Sequence, residues 1–175
     1  MWHLKAHYTL WFGSLSGVLP YVSIFARTHL EVTATTVGVL FCVLPFMVSI
    51  IKPIACSVAD HYDNHLKALM VSQLLTLLGY GSLVIFPFVR SMISLSLLWY
   101  LFCLFTLISN TAMGTGTSIT DYLVMNEVNI IKQHGGKTNY GNFRIWGTVG
   151  FGVFGKNLCS IQFSMYFNRH SVWNN

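Results

Sequence analysis

The sequence predicts an all-α membrane protein, and three observations carry that prediction. Tyr8 to Ala26, Ala68 to Val89 and Met92 to Thr120 contain no charged residue, and Thr35 to Ala59 contains only Lys52. A hydrocarbon core of about 30 Å is crossed by roughly 20 apolar residues in a helix, so each stretch is long enough. Charged residues make up 9% of the chain, against about 25% in soluble domains, too few to coat a water-facing globule. The runs are continuously apolar and do not alternate, which excludes an outer-membrane barrel. Backbone groups in lipid must be satisfied internally, so the runs should be helices.

Taken in order, spans are expected near residues 8–26, 36–59, 67–89 and 92–120, joined by short loops in which Glu31, Asn64 and Arg90 mark turns. Short loops make consecutive helices antiparallel. Lys5 gives the first span a basic flank, but it is longer than a signal-peptide core and no Ala-x-Ala site follows, so it is read as retained. A polar segment, 121–141, comes next. A fifth apolar run begins at Phe143 and meets Lys156-Asn157 soon after Gly155. Residues 1–155 are therefore expected to form one helical bundle with a fifth helix begun over 143–155, and residues 156–175 a divergent tail.

The net charge of +5 is spread over helix ends and does not gather on a face, so it is no nucleic-acid footprint. With the N-terminus inside, Lys5, Lys67, Lys132, Lys137 and Arg144 lie in the cytoplasm and only Arg27 and Arg90 outside. The bias favours a cytoplasmic N-terminus. Cys42, Cys56, Cys103 and Cys159 lack paired spacing and read as small buried apolar residues. His61 and His65, four apart, would need to share a helical turn and find a third ligand to hold a metal, so no metal site is assigned. Gly114-Thr115-Gly116 and the glycines from Gly147 to Gly155 follow no strand and lack a Lys-Ser/Thr ending; close helix packing is their expected use. No nucleophile–His–Asp arrangement emerges, and no cofactor is implied. The chain is not expected to be an enzyme.

Helical periodicity gathers the small and polar residues into seams. On the second span Gly38, Cys42, Pro45, Ser49, Lys52, Cys56 and Asp60 share one face. The fourth carries Ser96, Cys103, Thr106, Asn110, Gly114, Thr117 and Asp121; the first Gly13, Ser16, Gly17, Pro20 and Ser23; the third Gln73, Thr76 and Tyr80. Such seams serve either helix–helix packing or a polar cavity. Asn110 and Lys52 favour the cavity, since packing needs neither an amide nor a charge. Lys52 has three possible uses: snorkelling to the cytoplasmic headgroups, an interior salt bridge with Asp121, or contact with a solute or ion.

Two segments carry a family pattern. Lys52-Pro53-Ile54-Ala55-Cys56-Ser57-Val58-Ala59-Asp60-His61 resembles the loop between helices two and three of the major facilitator superfamily. Tyr140-Gly141-Asn142-Phe143-Arg144-Ile145-Trp146-Gly147-Thr148-Val149-Gly150 resembles the start of helix five in its domain-containing protein 6-like branch. The resemblance covers roughly residues 6–155. It departs from the pattern where the family's Gly, Arg and second Gly fall at Cys56, His61 and Asp63, while Asp60 and Lys67 remain. The resemblance implies a partial N-terminal bundle of a fold with twelve helices in two halves and a midplane solute site between them. It also implies that Asp60 acts as a conformational latch, made pH-dependent by His61 because an unperturbed His titrates near 6.5.

The expected function is that of a fragment of a secondary transporter moving a small solute by alternating access. Tyr21, Asn110 and Thr117 are the candidate cavity residues; Lys52, Asp60, Asp121 and Arg144 are candidates for gating or structure. The expected partners are the bilayer, an unknown small solute in a full-length parent, and other transmembrane helices. The alternative is a membrane protein that does not transport and acts by interaction or as a receptor-like protein, or an inactive truncated isoform.

Overall fold

A computed structural model describes residues 2–62 and 64–173, with side chains as far as residue 157. Its described elements are all helical: α1 Trp2–His29, α2 Ala34–His61, α3 His65–Ser82, α4 Phe86–Val89, α5 Leu95–Gln133 and α6 Tyr140–Trp173. Among the described residues, α1, α2 and α5 are long and apolar enough to cross a membrane. The all-α membrane reading holds, and four expectations about individual elements need correction.

The third span is divided. α3 ends at Ser82, and a tightened stretch links it to α4 through three-residue steps, Leu83 N to Tyr80 O (3.2 Å), Val84 N to Gly81 O (3.1 Å), Ile85 N to Ser82 O (3.0 Å) and Phe86 N to Leu83 O (3.2 Å). Pro87 explains the break. It has no N–H to give Leu83 O, so the α3 ladder cannot run on through it, and it sits in the first turn of α4, where that N–H is not needed.

The fourth span runs far past residue 120. α5 has 39 residues, about 58 Å at 1.5 Å per residue, roughly twice the hydrocarbon thickness. The polar stretch after Asp121 contains no Gly or Pro until Gly135, so its polarity moves the helix out of lipid without ending it. Gly135 ends it, with φ of 78°. Gly136 N donates to Ile131 O at 2.9 Å and Gly135 N to Lys132 O at 3.0 Å, the paired bonds of a Schellman cap.

The fifth helix starts earlier than Phe143 and does not stop at Gly155. α6 begins at Tyr140 and continues through Lys156 to Trp173. Cys159 and the other side chains of the expected tail after Asn157 lie outside the described ones. The remaining correction concerns Cys42, which is exposed and not buried.

The chain divides into two compact units, residues 1–22 with 127–175, and residues 23–126. In the first, α1 and α6 run parallel, with contacts climbing both helices together. Thr9 Oγ1 donates to Lys5 O at 2.9 Å and reaches Trp146 O at 3.3 Å. A Cβ on Gly150 would collide with the backbone of Thr9, whose Cα would lie 2.8 Å away; one on Gly147 would stand 2.8 Å from the Phe12 ring. Gly13 accommodates Phe154, and Ser16 packs on Gly155. Lys5 Nζ sits 5.6 Å from the Trp2 ring and 5.7 Å from the Trp146 ring. A cation among indoles suits the headgroup layer, where Trp rings gather.

In the second unit, Phe25, Phe86 and Phe102 form an aromatic cluster, with centroids 6.3 Å apart for each pair made by Phe25. Above it Arg90 and Glu31 form an ion pair joining the turn after α1 to the turn before α5. At the other end His65 meets Asp60 at 3.7 Å and the Tyr122 ring at 4.6 Å. α3 lies against α5 through Gly79, where a side chain would strike Ser109. These contacts place alternate turns at opposite ends, as an up-and-down path requires.

Candidate functional site

The α2 seam is where the structure separates the two readings of the small residues. α2 buries Val37, Leu44 and Ala59. Gly38, Cys42, Pro45 and Ser49 lie on a different face and are exposed, so they do not pack against another described helix. Two prolines, Pro45 and Pro53, sit inside this helix, and Ser49 Oγ donates to Pro45 O at 2.7 Å. Spanning helices tolerate proline where nearby groups answer the freed backbone.

Lys52 is half-buried at the edge between the two faces. A Cβ on Gly114 of α5 would lie 3.0 Å from Val48 and 3.9 Å from Lys52 Cδ. The lysine stem therefore lies alongside α5 between Asn110 and Thr117, which occupy the same face as Gly114 by helical spacing.

The other candidates are placed as follows. Asn110 is half-buried and its Nδ2 donates to Thr106 O at 2.9 Å; Thr117 Oγ1 donates to Met113 O at 2.9 Å. Both spend a hydrogen bond within their own helix. Asp121 is half-buried on the same seam. Tyr21 is 41% exposed and belongs to the first unit. Arg144 is exposed, donates to the Tyr140 hydroxyl at 2.8 Å and lies over that ring, a local pairing on α6. The structure thus brings Lys52 to the Asn110–Thr117 face and does not gather all seven residues at one point.

The acidic latch candidate, at the end of α2, lies beside a residue of the next helix. Asp60 meets His65, at the start of α3, while the His61 ring stacks edge-on against Tyr62. His61 ends α2 and His65 begins α3, so they do not share a helical turn. Asn64 sits between them as N-cap, accepting from Lys67 N at 3.3 Å. Among the described residues, no group of three His, Cys, Asp or Glu is arranged to hold a metal.

Two features were not legible from the sequence. One is a trough of about 790 Å³ between α2, α3 and α5, lined by Ile51, Ala59, Lys67, Val71, Leu107 and Ala112 among others. The other is a pair of buried hydroxyls, Tyr80 and Thr106, without hydrogen-bond partners. The sequence placed both on seams but gave no sign that they would lack acceptors.

The comparison with known families agrees with the helices. The family described as MFS_1 like matches residues 1–171. The chain belongs to that family. No curated protein and no solved structure matches it. The match extends through Lys156 and well into the C-terminal part of α6. Membership in the MFS_1-like family identifies an integral membrane protein related to major facilitator transporters, and it points away from enzymatic chemistry.

Proposed function

We propose that this MFS_1-like chain is the N-terminal part of a secondary transporter that carries a small solute by alternating access, with its N-terminus in the cytoplasm. The Tyr140–Gly150 pattern supports placing it in the domain-containing protein 6-like branch. The observation that carries the transport reading is the exposed small and polar face of α2, ending at Lys52. A spanning helix gains nothing by showing Ser49 and a lysine to lipid, and intramembrane charges ordinarily face a bundle interior or an aqueous path. In this reading the α2 face, with Asn110 and Thr117 of α5, forms part of one wall of the path. Lys52, Asp60, Asp121 and Arg144 serve gating or structure, with Asp60 held through His65 when that imidazole is protonated.

Site-directed thiol labelling tests the reading. In a background with the native cysteines replaced, Ser49→Cys should react with a membrane-impermeant maleimide, because the thiolate forms only where water reaches it. Ile50→Cys, about 100° round the helix from Ser49 and on its exposed aliphatic side, should stay unreactive. Equal silence at both positions would mean that the α2 face meets lipid, and the transport reading would fail. In the full-length parent, Lys52→Ala should alter uptake within a solute panel; unchanged uptake of every solute removes Lys52 from the mechanism.

A further inference from the structure

We infer that the trough between α2, α3 and α5 is a binding site for one anionic glycerophospholipid, its acyl chain in the trough and its phosphate at Lys67. The volume, about 790 Å³, lies within the roughly 300–1,000 Å³ of small-molecule sites. It extends along α3 from Asn64 to Leu75, about 16 Å at 1.5 Å per residue. α2 and α5, which form two of its walls, are membrane spans, so acyl chains are the molecules that reach it.

The walls offer a polar solute nothing. The Ser and Thr hydroxyls in the lining already donate along their own helices, Ser72 to Ala68 O at 2.8 Å, Thr111 to Leu107 O at 2.9 Å and Thr115 to Thr111 O at 2.9 Å, and the Tyr62 hydroxyl stands with Lys67 at the open end. The remaining described lining is chiefly aliphatic, and Val58 and Val71 are exposed within it. Lys67, in the first turn of α3, is the single charged residue among the described lining residues, and it stands at one end beside Asn64 and Tyr62. The carboxylate of Asp60 lies outside the lining, 3.7 Å from His65. An apolar slot with one cation at its end matches an amphiphile with one anionic head. A second helix from another copy would fill the slot but would leave Lys67 without a counter-charge.

Native mass spectrometry of the whole chain, released from nanodiscs of equal phosphatidylglycerol and phosphatidylcholine, tests this. The expected result is a retained lipid enriched in phosphatidylglycerol. A basic residue at a membrane surface is worth about 1 kcal/mol toward anionic lipid, so Lys67→Gln should lower the retained glycerol-to-choline ratio by roughly fivefold. Ala112→Phe, which fills the trough, should remove retained lipid of both kinds while Lys67→Gln keeps total retention. Helix content by circular dichroism confirms that each variant is folded; if Ala112→Phe unfolds, Ala68→Phe replaces it. No retained lipid, no headgroup preference, or dimers that occupy the trough and cross-link at Val71→Cys would each overturn the inference. None of these outcomes depends on transport, so the site and the transport reading fail separately.

Discussion

On α1, Gly13 and Ser16 are buried beneath Phe154 and Gly155 of α6; on α2, Gly38, Cys42, Pro45 and Ser49 are exposed. Both stripes are built mainly of small residues at helical spacing. The difference shows that small residues permit close approach without compelling it. α1 is packed because α6 answers it with glycines of its own at 147, 150 and 155, so two backbones come together over several turns. α2 turns its Val37, Leu44 and Ala59 face inward instead, and its small residues are left to another use. Without a hydrophobic drive between helices in lipid, complementary shape decides which faces meet.

The sharpest way to break this contrast is to add the same side chain to the seam where α6 packs on α1 and to the α2 stripe. Gly150→Leu would drive carbon into the Thr9 backbone, which has no side-chain end to swing away. Overpacking costs typically 1–3 kcal/mol, and the loss here should be about 3 kcal/mol in denaturant unfolding of the micelle-bound chain. Gly38→Leu meets nothing within 4 Å, so its effect should stay within about 0.5 kcal/mol. Equal losses would mean that the α2 face is packed after all.

A smaller effect is expected inside the second unit. Gly79→Ala strikes the Ser109 hydroxyl and crowds the Phe105 carbonyl at 3.2 Å. The loss should be about 2 kcal/mol. Ser109→Ala removes part of the obstacle, so the double variant should be more stable than the sum of the single ones. Strict additivity in that cycle would place the strain at Phe105 instead.

The same unit holds its two unpartnered hydroxyls, and they invite the opposite sign. A buried donor without an acceptor costs about 1–3 kcal/mol, while an apolar group of the same shape removes the penalty. Tyr80→Phe and Thr106→Val should therefore each stabilise the chain, by about 1 kcal/mol, seen as a raised thermal midpoint. A lowered midpoint would show that the hydroxyls find partners in the membrane.

The contrast also explains what could be read in advance. Continuous apolarity announced helices and a membrane, and the glycines after Gly147 were legible as packing because they recur at helical spacing. The end of α5 was not legible: polarity from Asp121 onward looks like a loop, whereas only Gly135, with its left-handed backbone, ends a helix whose polar part has left the lipid. The break before Pro87 was hidden for the converse reason, since an unbroken apolar run conceals a missing N–H. For the site, Lys52 and the seams could be found by period. The pairing of Asp60 with His65 could not, because it depends on where α2 stops and on Asn64 capping α3. The trough is a property of how three helices splay, which no single period encodes.

The smallest expected effect concerns how α2 is held, given that its exposed face contributes no packing. Its N-terminal end is fixed by a short turn in which Thr33 caps the helix and Glu31 adopts φ of 55°. Glu31 also pairs with Arg90, whose side chain is 39% exposed against 64% for Glu31. Exposed pairs contribute about 0–1 kcal/mol, so Arg90→Gln should lower stability by about 0.5 kcal/mol and less at high salt. Glu31→Gly deletes the same pair but also relieves a left-handed residue, which costs about 1–2 kcal/mol when it carries a Cβ. The two terms oppose, and the backbone term is the larger. Glu31→Gly should therefore leave the thermal midpoint unchanged or slightly raised while Arg90→Gln lowers it. Equal falls in both variants would mean that the ion pair, and not the backbone, sets the turn that delivers α2.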